Sequence, residues 1–464
     1  MRLRAEGIRP GDRVVIFLDK SIASVAVLFG IWQAGAVSVP AFHGLKARQL
    51  NHILIHSGAK LLITSQEKFI RLSNSGQMCL TSILLLGDED TLAAADGEKS
   101  HVIERTSLTD PAVIFYTSGS TGPAKGVSVS HGNLFAGIRI VSRYLNLTDR
   151  DRILSVLPLS FDYGMNQLLS AVSIQSSIVL LNEVSVGDVC QSLERFAITG
   201  LAAVPPFWNQ LCGSRSTFLC KDFPNLRYIT NSGGALPIPL IRRIRERHPD
   251  VQIYLMYGLT EAFRSTYLPP SEIDSRPTSI GRAIAETEII VLNPDGENCE
   301  PGEIGELVHV GPTVALGYWN DQEATAVKFR PHPFVPREAE KVVFSGDLVK
   351  TDEDGFLYFI GRVDEILKIR GHRVNPSEVE QVIHESAMVS EIVVKGEIDP
   401  CAETILVAHC VPNTIDFQAE QLLAFCKREM PSYMVPQAII VHEQFARTPT
   451  GKIDRQILNS RSRK

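Results

Sequence analysis

Short apolar runs alternate with amphipathic stretches over the first two thirds of the chain. The apolar runs cover residues 14–18, 61–64, 82–86, 112–116, 178–181, 201–204 and 228–231. Between several of them the apolar positions recur at helical spacing, as they do over residues 236–247. Strands that are buried on both faces are apolar throughout, and parallel strands need helical crossovers. The pattern therefore predicts an α/β fold with doubly wound parallel sheets.

From about residue 287 the pattern changes to short strands separated by turns. The clusters Pro294-Asp295-Gly296 and Glu353-Asp354-Gly355 are typical of tight turns, so we expect hairpins or a small β-barrel-like part here. The end of the chain differs again, with a helix predicted near 377–384 and strands near 392–394 and 405–410. It is predicted to form a separate, small α+β module.

One uncharged stretch, residues 21–42, is long enough to resemble a membrane-spanning helix. Its apolar pattern is interrupted by Gly30, Gln33, Gly35, Ser38 and Pro40. A buried helix that ends near residues 34–36, followed by a strand through Val37 and Val39, fits this pattern better. The N-terminal sequence MRLRAEGIRPGD lacks the apolar segment of a signal peptide, so secretion is not indicated.

Composition narrows the class of protein without identifying a function. The 464 residues suggest about three domain-sized units, and 44% hydrophobic with 21% charged residues excludes a disordered or collagen-like chain. A net charge of −6 argues against a nucleic-acid-binding surface. The eight cysteines form no C-x-x-C pair and the twelve histidines no H-E-x-x-H motif, so we expect reduced thiols and no structural metal. We expect a soluble, cytoplasmic protein with no membrane span and no nucleic-acid partner.

The first chemical signal is the segment Phe115-Tyr-Thr-Ser-Gly-Ser-Thr-Gly-Pro-Ala-Lys-Gly126, which lies between two predicted strands. Its glycines, hydroxyl groups and lysine suit a polyphosphate, because free backbone N–H groups, hydroxyl donors and a positive charge all bind phosphate oxygens. It is not a Walker A loop, since Gly126 rather than a serine or threonine follows Lys125. It is not a nucleophile elbow either, because Ser118 stands where the first glycine of G-x-S-x-G is needed.

Read as a whole, this segment resembles the phosphate loop of the adenylate-forming superfamily, which contains AMP-forming acyl-CoA ligases, amino-acid adenylation domains and luciferases. Further matching motifs follow in the order that the family has: Asn231-Ser-Gly-Gly-Ala-Leu-Pro237, Met256-Tyr-Gly-Leu-Thr-Glu-Ala262, Glu303-Ile-Gly-Glu-Leu-Val308, Gly317-Tyr-Trp319, Ser345-Gly-Asp347, Gly361-Arg-Val-Asp-Glu-Ile-Leu-Lys-Ile-Arg-Gly371 and Pro449-Thr-Gly-Lys452. Together they span residues 115–452. The resemblance implies a large adenylation domain, residues 1–361, and a small mobile domain, residues 362–464.

The resemblance also implies a site for ATP and Mg²⁺. Glu261 would supply a carboxylate oxygen to Mg²⁺, and Thr260 would contact the α-phosphate. The remaining residues expected to bind ATP or AMP are Thr117, Ser118, Gly119, Ser120, Thr121, Gly122 and Lys125 on the phosphates, Gly233, Gly234 and Ala235 along the adenine, Tyr257 and Gly258 in the Y-G-x-T-E motif, and Asp347 and Arg362 at the ribose.

Lys452 is expected to be the catalytic residue of the first half-reaction. By resemblance it bridges the substrate carboxylate and the α-phosphate, where negative charge gathers. Asp364 matches the hinge about which the small domain would rotate between half-reactions. That rotation would withdraw Lys452 and bring Lys368 and Gly371 to the entrance used by the thiol.

The acyl pocket is expected to include Phe161, Asp162 and Tyr163. In carrier-loading adenylation domains an aspartate that follows phenylalanine at this place binds the α-ammonium group of the substrate. The alternative is that Asp162 caps the helix predicted over residues 164–171. The sequence leaves both interpretations open.

The segments 159–167 and 257–267 look most like stand-alone bacterial acyl-CoA ligases, in particular those associated with exosortase systems. We therefore expect a free-standing enzyme that joins a carboxylic acid to coenzyme A. A second hypothesis is an amino-acid-activating enzyme that loads the phosphopantetheine of a separate carrier protein. A third is a non-catalytic nucleotide-binding relative.

The chain departs from the family pattern in three places. Ala124 separates the proline of the phosphate loop from Lys125, and Ser345 replaces the usual threonine before Gly346. Family members also carry several tens of residues before the stretch that resembles residues 7–15. We interpret this difference either as a misassigned start or as an incomplete first subdomain.

Overall fold

The computed structural model describes residues 2–73, 82–87, 106–117, 124–182, 184–213, 216–335, 341–365, 367–369, 372–398, 404–414, 416–448, 453–455 and 458. Short 3₁₀ turns cover Pro270–Glu272 and Val363–Glu365. The α-helices are α1 (Arg2–Ala5), α2 (Ile22–Gln33), α3 (Ala47–Ser57), α4 (Gln66–Ser73), α5 (His131–Tyr144), α6 (Asp162–Ser173), α7 (Val186–Arg195), α8 (Pro205–Leu211), α9 (Ile238–Arg247), α10 (Gln322–Lys328), α11 (Pro376–Glu385) and α12 (Ala419–Glu429).

The first sheet is mostly parallel and is built largely from the start of the chain. Its strands are β1 (Arg13–Phe17), β2 (Val37–Pro40), β3 (Leu61–Ser65), β4 (Ser82–Leu86), β5 (Pro111–Thr117) and β6 (Lys125–Ser130). They lie in the order β6-β5-β2-β1-β3-β4, in which β5 and β6 pair in antiparallel fashion and the other neighbours are parallel. Val14 and Ile16 of β1 pack in one apolar cluster and Val15 and Phe17 in another. Both faces of the strand are therefore buried, which is why its sequence is apolar throughout.

The second sheet combines a parallel half with an antiparallel half. The strands that follow along the chain all belong to this sheet except β16: β7 (Arg152–Ser155), β8 (Ser177–Leu180), β9 (Gly200–Ala203), β10 (Tyr228–Asn231), β11 (Gln252–Leu259), β12 (Ala262–Leu268), β13 (Ser279–Ala283), β14 (Glu288–Leu292), β15 (Gly305–Val310), β16 (Gly317–Tyr318), β17 (Phe329–Pro331), β18 (Lys341–Thr351) and β19 (Leu357–Arg362). β16 pairs with β6 of the first sheet. The others form one ladder, β14-β15-β18-β19-β13-β12-β11-β10-β9-β7-β8, with β17 beside β18.

The predicted α/β fold is confirmed, and the barrel-like part has a different form from the one expected. In the described part of the chain, β13–β15 and β17–β19 continue the second sheet through β12 instead of closing on themselves. The turn clusters of the sequence do mark hairpins, because β14 pairs with β15 and β18 with β19. The pairing of β13 with both β12 and β19 is what keeps this part open and continuous with the parallel half.

The C-terminal part has an α+β core of its own. Its strands are β20 (Leu367–Ile369), β21 (His372–Val374), β22 (Val389–Ile398), β23 (Thr404–Pro412) and β24 (Ala438–Val441). β20 and β21 form a hairpin, whereas β22, β23 and β24 form a three-stranded sheet. Apolar side chains of these strands and of α11 and α12 make a cluster separate from those of the two large sheets.

The uncharged stretch near the N-terminus folds as the sequence predicts. It forms α2 (Ile22–Gln33) and then β2 (Val37–Pro40). Ser21 caps the helix, since its hydroxyl accepts a hydrogen bond from the Ser24 N–H at 3.1 Å. Within the described residues, no helix combines the length and apolar character that crossing a membrane requires.

Candidate active site

The tip of the β11–β12 hairpin carries Thr260 and Glu261. Leu259 pairs with Ala262, so these two residues form the whole turn. The pairing register shifts at Gly258, where an added Cβ would lie 3.1 Å from the Arg264 Cα. The close approach of the two strands therefore favours glycine at this position, since a larger residue would press on the Arg264 backbone.

Glu261 is hydrogen-bonded to Tyr318, whose hydroxyl donates to the Glu261 Oε1 at 2.5 Å. Burial, and then the neighbouring Glu261 charge, raises the pKa of Tyr318, so the phenol stays protonated and acts as a donor. Lys328 lies in the same region and donates to the Ser345 carbonyl. Burial lowers the pKa of Lys328, with Glu261 opposing that effect.

The second cluster joins Tyr257, Asp347 and Arg362. Asp347 and Arg362 are partners in the antiparallel register of β18 and β19, and the Arg362 Nη1 donates to Asp347 Oδ1 at 2.8 Å. The Tyr257 hydroxyl donates to the other carboxylate oxygen. Burial, followed by the Asp347 charge, raises the pKa of Tyr257 well above its ordinary value. Asp347 is thus the shared acceptor of this cluster, and a carboxylate is also the type of group that accepts from the hydroxyls of a ribose.

The phosphate-loop residues are described only at the two ends of the loop. Thr117 ends β5, Lys125 begins β6, and the two are paired in the ladder. The Lys125 ammonium lies 3.7 Å from an Asp321 carboxylate oxygen and 5.1 Å from the centre of the Tyr318 ring. Lys125 and Glu261 therefore share Tyr318 as a neighbour. The positions in between, Ser118, Gly119, Ser120, Thr121 and Gly122, lie outside the described residues.

The predicted adenine segment begins where β10 ends at Asn231. The Asn231 side-chain amide donates to the Gly234 carbonyl at 2.9 Å, and Gly233 has a positive φ of 82°. Gly234 and Ala235 are exposed. Ligands of open α/β sheets bind beyond the carboxyl ends of the parallel strands, which is where this turn lies.

The acyl-pocket residues lie at the start of α6, and one interpretation from the sequence is wrong. Helix α6 begins at Asp162, and Phe161 occupies the N-cap with an extended backbone. Asp162 is therefore the first helical residue, not the cap, although a carboxylate in the first turn still favours the helix dipole. It is 5% exposed. Tyr163 is also buried, and its hydroxyl contacts that of Thr230.

Two cavities adjoin this region. A small one of about 20 Å³ lies among α6, β10, β11 and β12, with Tyr163, Thr230, Met256 and Arg264 in its wall. A larger one of about 330 Å³ lies between the first and second sheets and has Ser160, Phe207 and Thr448 in its wall. Thr448 comes four residues before Lys452 in the sequence.

The hinge and lysine-loop predictions are described only in part. Gly371 and Lys452 lie outside the described residues, and for Asp364 and Lys368 only the backbone is described. Arg455 follows Lys452 closely and pairs with Glu380 of α11 at 3.0 Å and with Glu365 at 3.5 Å. Burial raises the pKa of Glu380 to about 7, against the opposing effect of Arg455.

Sequence reasoning did not single out Tyr318 and Arg264 as functional residues. Both stand within or next to recognised motifs, but a tyrosine or an arginine in a strand carries no signal of its own. Only the folded chain brings Tyr318 to Glu261 and Arg264 to Tyr163.

Comparison with known protein families gives two matches along the chain. The family described as AMP-binding enzyme matches residues 1–319. The AMP-binding enzyme C-terminal domain matches residues 378–452.

The curated relatives match nearly the whole of this chain, but the matched segment is only a small part of each relative. Gramicidin S synthase 2 from Aneurinibacillus migulanus is 30% identical over 466 residues, which is 98% of this chain and 10% of that protein. Tyrocidine synthase 1 from Brevibacillus parabrevis is 28% identical and matches 98% of this chain and 41% of that protein. The chain thus spans well under two thirds of the length of these relatives.

Solved structures match the whole fold. The o-succinylbenzoate CoA synthetase of Bacillus subtilis, in complex with OSB-AMP, has a TM-score of 0.84 at 25% identity and covers 98% of this chain and 90% of its own. The same enzyme with ATP and a magnesium ion has a TM-score of 0.84 at 26% identity, with 99% and 91% covered. The anthranilate CoA ligase AuaEII, in complex with anthranoyl-AMP, has a TM-score of 0.86 at 26% identity, with 99% and 89% covered.

Proposed function

The chain belongs to the AMP-binding enzyme family, and we propose that it activates a carboxylic acid with ATP and transfers the acyl group to coenzyme A. In the first half-reaction a carboxylate oxygen attacks the α-phosphorus of ATP, which forms an acyl adenylate and releases pyrophosphate. In the second half-reaction the thiol sulfur attacks the acyl carbonyl, and AMP leaves with the electron pair of the broken C–O bond.

The first step joins two anions, so its catalysis rests on positioning and charge neutralisation. Thr117, Lys125 and the loop between them bind the β- and γ-phosphates. Asp347 and Arg362 bind the ribose, and Lys452 neutralises the charge that gathers at the α-phosphate.

Magnesium fits the carboxylate chemistry of this site. Mg²⁺ is commonly held by one or two carboxylates together with substrate phosphates, and it does not need a cage of protein ligands. Glu261 offers one such carboxylate, fixed by Tyr318 beside Lys125. Bound there, Mg²⁺ supplies positive charge to the phosphate oxygens.

The observation that carries this proposal is the cluster of Tyr257, Asp347 and Arg362 next to the Glu261 turn. It assembles polar groups from β11, β18 and β19 that lie far apart in the sequence. The likeness to two CoA-joining enzymes over about 90% of their length also supports coenzyme A as the acceptor.

A second candidate function is the activation of an amino acid for a separate carrier protein. Asp162 supports it, because a buried carboxylate at the acyl pocket suits an α-ammonium group. The likeness to gramicidin S and tyrocidine synthases supports it too.

ATP–pyrophosphate exchange tests both candidates on the purified protein. Exchange that depends on simple carboxylic acids, followed by AMP release on addition of coenzyme A, is the expected result. Exchange with amino acids alone would replace the first candidate by the second. Folded protein that binds ATP and exchanges with neither pool would contradict both.

A further inference from the structure

Arg264 is a buried cation for which the described residues provide no counter-charge. It is 3% exposed, and its Nε and Nη2 have no hydrogen-bond partner in the described part of the chain. Its guanidinium lies 4.3 Å from the centre of the Tyr163 ring and 6.0 Å from that of Phe263. A ring face attracts the cation but does not satisfy its N–H donors.

The backbone of Arg264 is held in an unusual conformation. Its φ is 110°, in the region that favours glycine, and it sits opposite the register shift at Gly258. Non-glycine residues in such conformations concentrate at functional sites, where the surrounding structure fixes them. Arg264 combines this conformation with a place in the wall of the small cavity.

The wall of the small cavity holds further polar atoms without partners. Asn166 Nδ2, Gln167 Oε1 and Ser170 Oγ are buried and make no hydrogen bond within the described residues. With Tyr163 they form one face of α6, since they are three, four and seven residues further along. None of the residues that line the cavity is an aspartate or a glutamate.

Such a site is complementary to a carboxylate. A buried guanidinium without a counter-charge is costly, and a carboxylate forms two parallel hydrogen bonds with it. Asn166 and Ser170 offer additional donors to the same oxygens. The cavity is small, about 20 Å³, so a carboxylate of three heavy atoms enters it only if side chains of the wall move apart, and a ring is excluded.

The cavity also adjoins the predicted active-site segments. Thr230 precedes Asn231 at the end of β10, and Met256 precedes Tyr257. Arg264 itself comes three residues after Glu261. An acid that reaches from the Glu261 turn into this cavity would therefore meet Arg264 at its far end.

We propose that Arg264 selects acids with a second carboxylate, so that the substrate is a dicarboxylic acid activated at one end and held by Arg264 at the other. This inference rests on the proposed function, because it concerns the acid that is adenylated. Asn166 and Ser170 complete the binding site for the distal carboxylate.

The test compares acids that differ only at the distal end: succinate with butanoate, glutarate with pentanoate, and adipate with hexanoate. In pyrophosphate exchange the wild type is expected to have at least a tenfold higher kcat/KM for the diacid in one or more pairs. Arg264→Gln should remove that preference, and Arg264→Lys should restore part of it. Arg282→Gln, on the neighbouring strand β13 and outside the cavity, should keep it.

Wild-type exchange with monoacids at equal or higher kcat/KM in every pair would overturn the Arg264 proposal and leave the proposed function standing. If the wild type exchanges with no acid, the acid-dependent rise in Tm decides. A rise with a diacid that Arg264→Gln removes and Arg282→Gln keeps would support the carboxylate site while contradicting the activity. No rise with any diacid would overturn the site as well.

Discussion

The β11–β12 hairpin borders two polar regions whose hydrogen bonding differs. On one side lies the paired region, in which Tyr257, Asp347 and Arg362 bond to one another and Tyr318 bonds to Glu261. On the other side lies the unpaired region around the small cavity, where Arg264 and three polar side chains of α6 have atoms without a partner.

The two regions therefore suit different roles. The first is already in its final shape before a ligand binds, whereas the second offers hydrogen-bonding groups that a ligand can satisfy. In the paired region the donors and acceptors are fixed by the protein itself, so the region needs no ligand to take its shape and a ligand that binds there causes little reorganisation. In the unpaired region the desolvation of the polar groups is not offset within the described residues. A ligand that brings the missing partners then gains both affinity and specificity there.

Lys452→Ala gives the largest expected effect, because it removes the charge expected where the reacting carboxylate and the α-phosphate meet. Adenylation should fall on the order of 10²–10³-fold. Thiol transfer from a preformed acyl adenylate should continue, because the lysine is expected to act only in the first half-reaction. Pyrophosphate exchange and single-turnover thioester formation measure the two steps. Equal loss in both would contradict the assignment.

Glu261→Gln removes a charge from the paired region with little change in shape. Pyrophosphate exchange should fall by about 100-fold at low Mg²⁺, since even second-shell changes at metal sites cost 10–100-fold. Part of the loss should be recovered at high Mg²⁺, which a titration of the exchange rate measures. Glu353→Gln, in an exposed turn, is the matched control and should leave the titration unchanged. A Glu261→Gln rate that does not respond to Mg²⁺ would remove Glu261 from the metal site.

Asp347→Asn tests whether the paired region serves ATP. The substitution removes the acceptor charge that Arg362 and Tyr257 share, and hydrogen bonds to charged groups contribute about 1.5–3 kcal/mol. ATP affinity should therefore fall by about 10- to 100-fold in calorimetric titration, while the fold persists. Asp295→Asn, in the exposed turn before Gly296, supplies a control of the same chemistry. Unchanged ATP affinity would make Asp347 a purely structural residue.

The sequence predicts the parallel strands well and the antiparallel part less well. Strand β10 (Tyr228–Asn231) occupies its predicted range because a short, continuous apolar run has few alternatives. Whether the later hairpins close into a barrel depends on how β13 pairs with β12 and β19. Turn residues fix the neighbours within a hairpin, but they carry no information about such distant partners.

The same limit applies to the site. Motif resemblance predicts roles for Glu261 and Asp347, because their residue types stand in a recognised order, and these roles stay predictions. Of the two interpretations that the sequence leaves open for Asp162, the cap is wrong, because the extended backbone that defines the cap belongs to Phe161. Arg264 could not be predicted as a functional residue from the sequence. Its interest comes from being buried beside polar atoms of α6 that also lack hydrogen-bond partners among the described residues, and only the fold brings these groups together.

The smallest expected effect concerns His309, which lies against Tyr257 at the border of the paired region. Its ring stacks on Tyr257 at 6.0 Å, yet both ring nitrogens lack partners among the described residues, and burial lowers its pKa to about 3. The unfolded chain binds a proton near pH 6.5 and the folded chain does not, so stability is lost as pH falls through 6.5 towards 3. At pH 5.5 the loss should be about 1 kcal/mol relative to pH 7.5. Urea unfolding at both pH values measures this loss. His309→Phe keeps the stacked ring and should lose less stability between pH 7.5 and pH 5.5 than the wild type. An equal loss would mean that His309 finds a polar partner in solution.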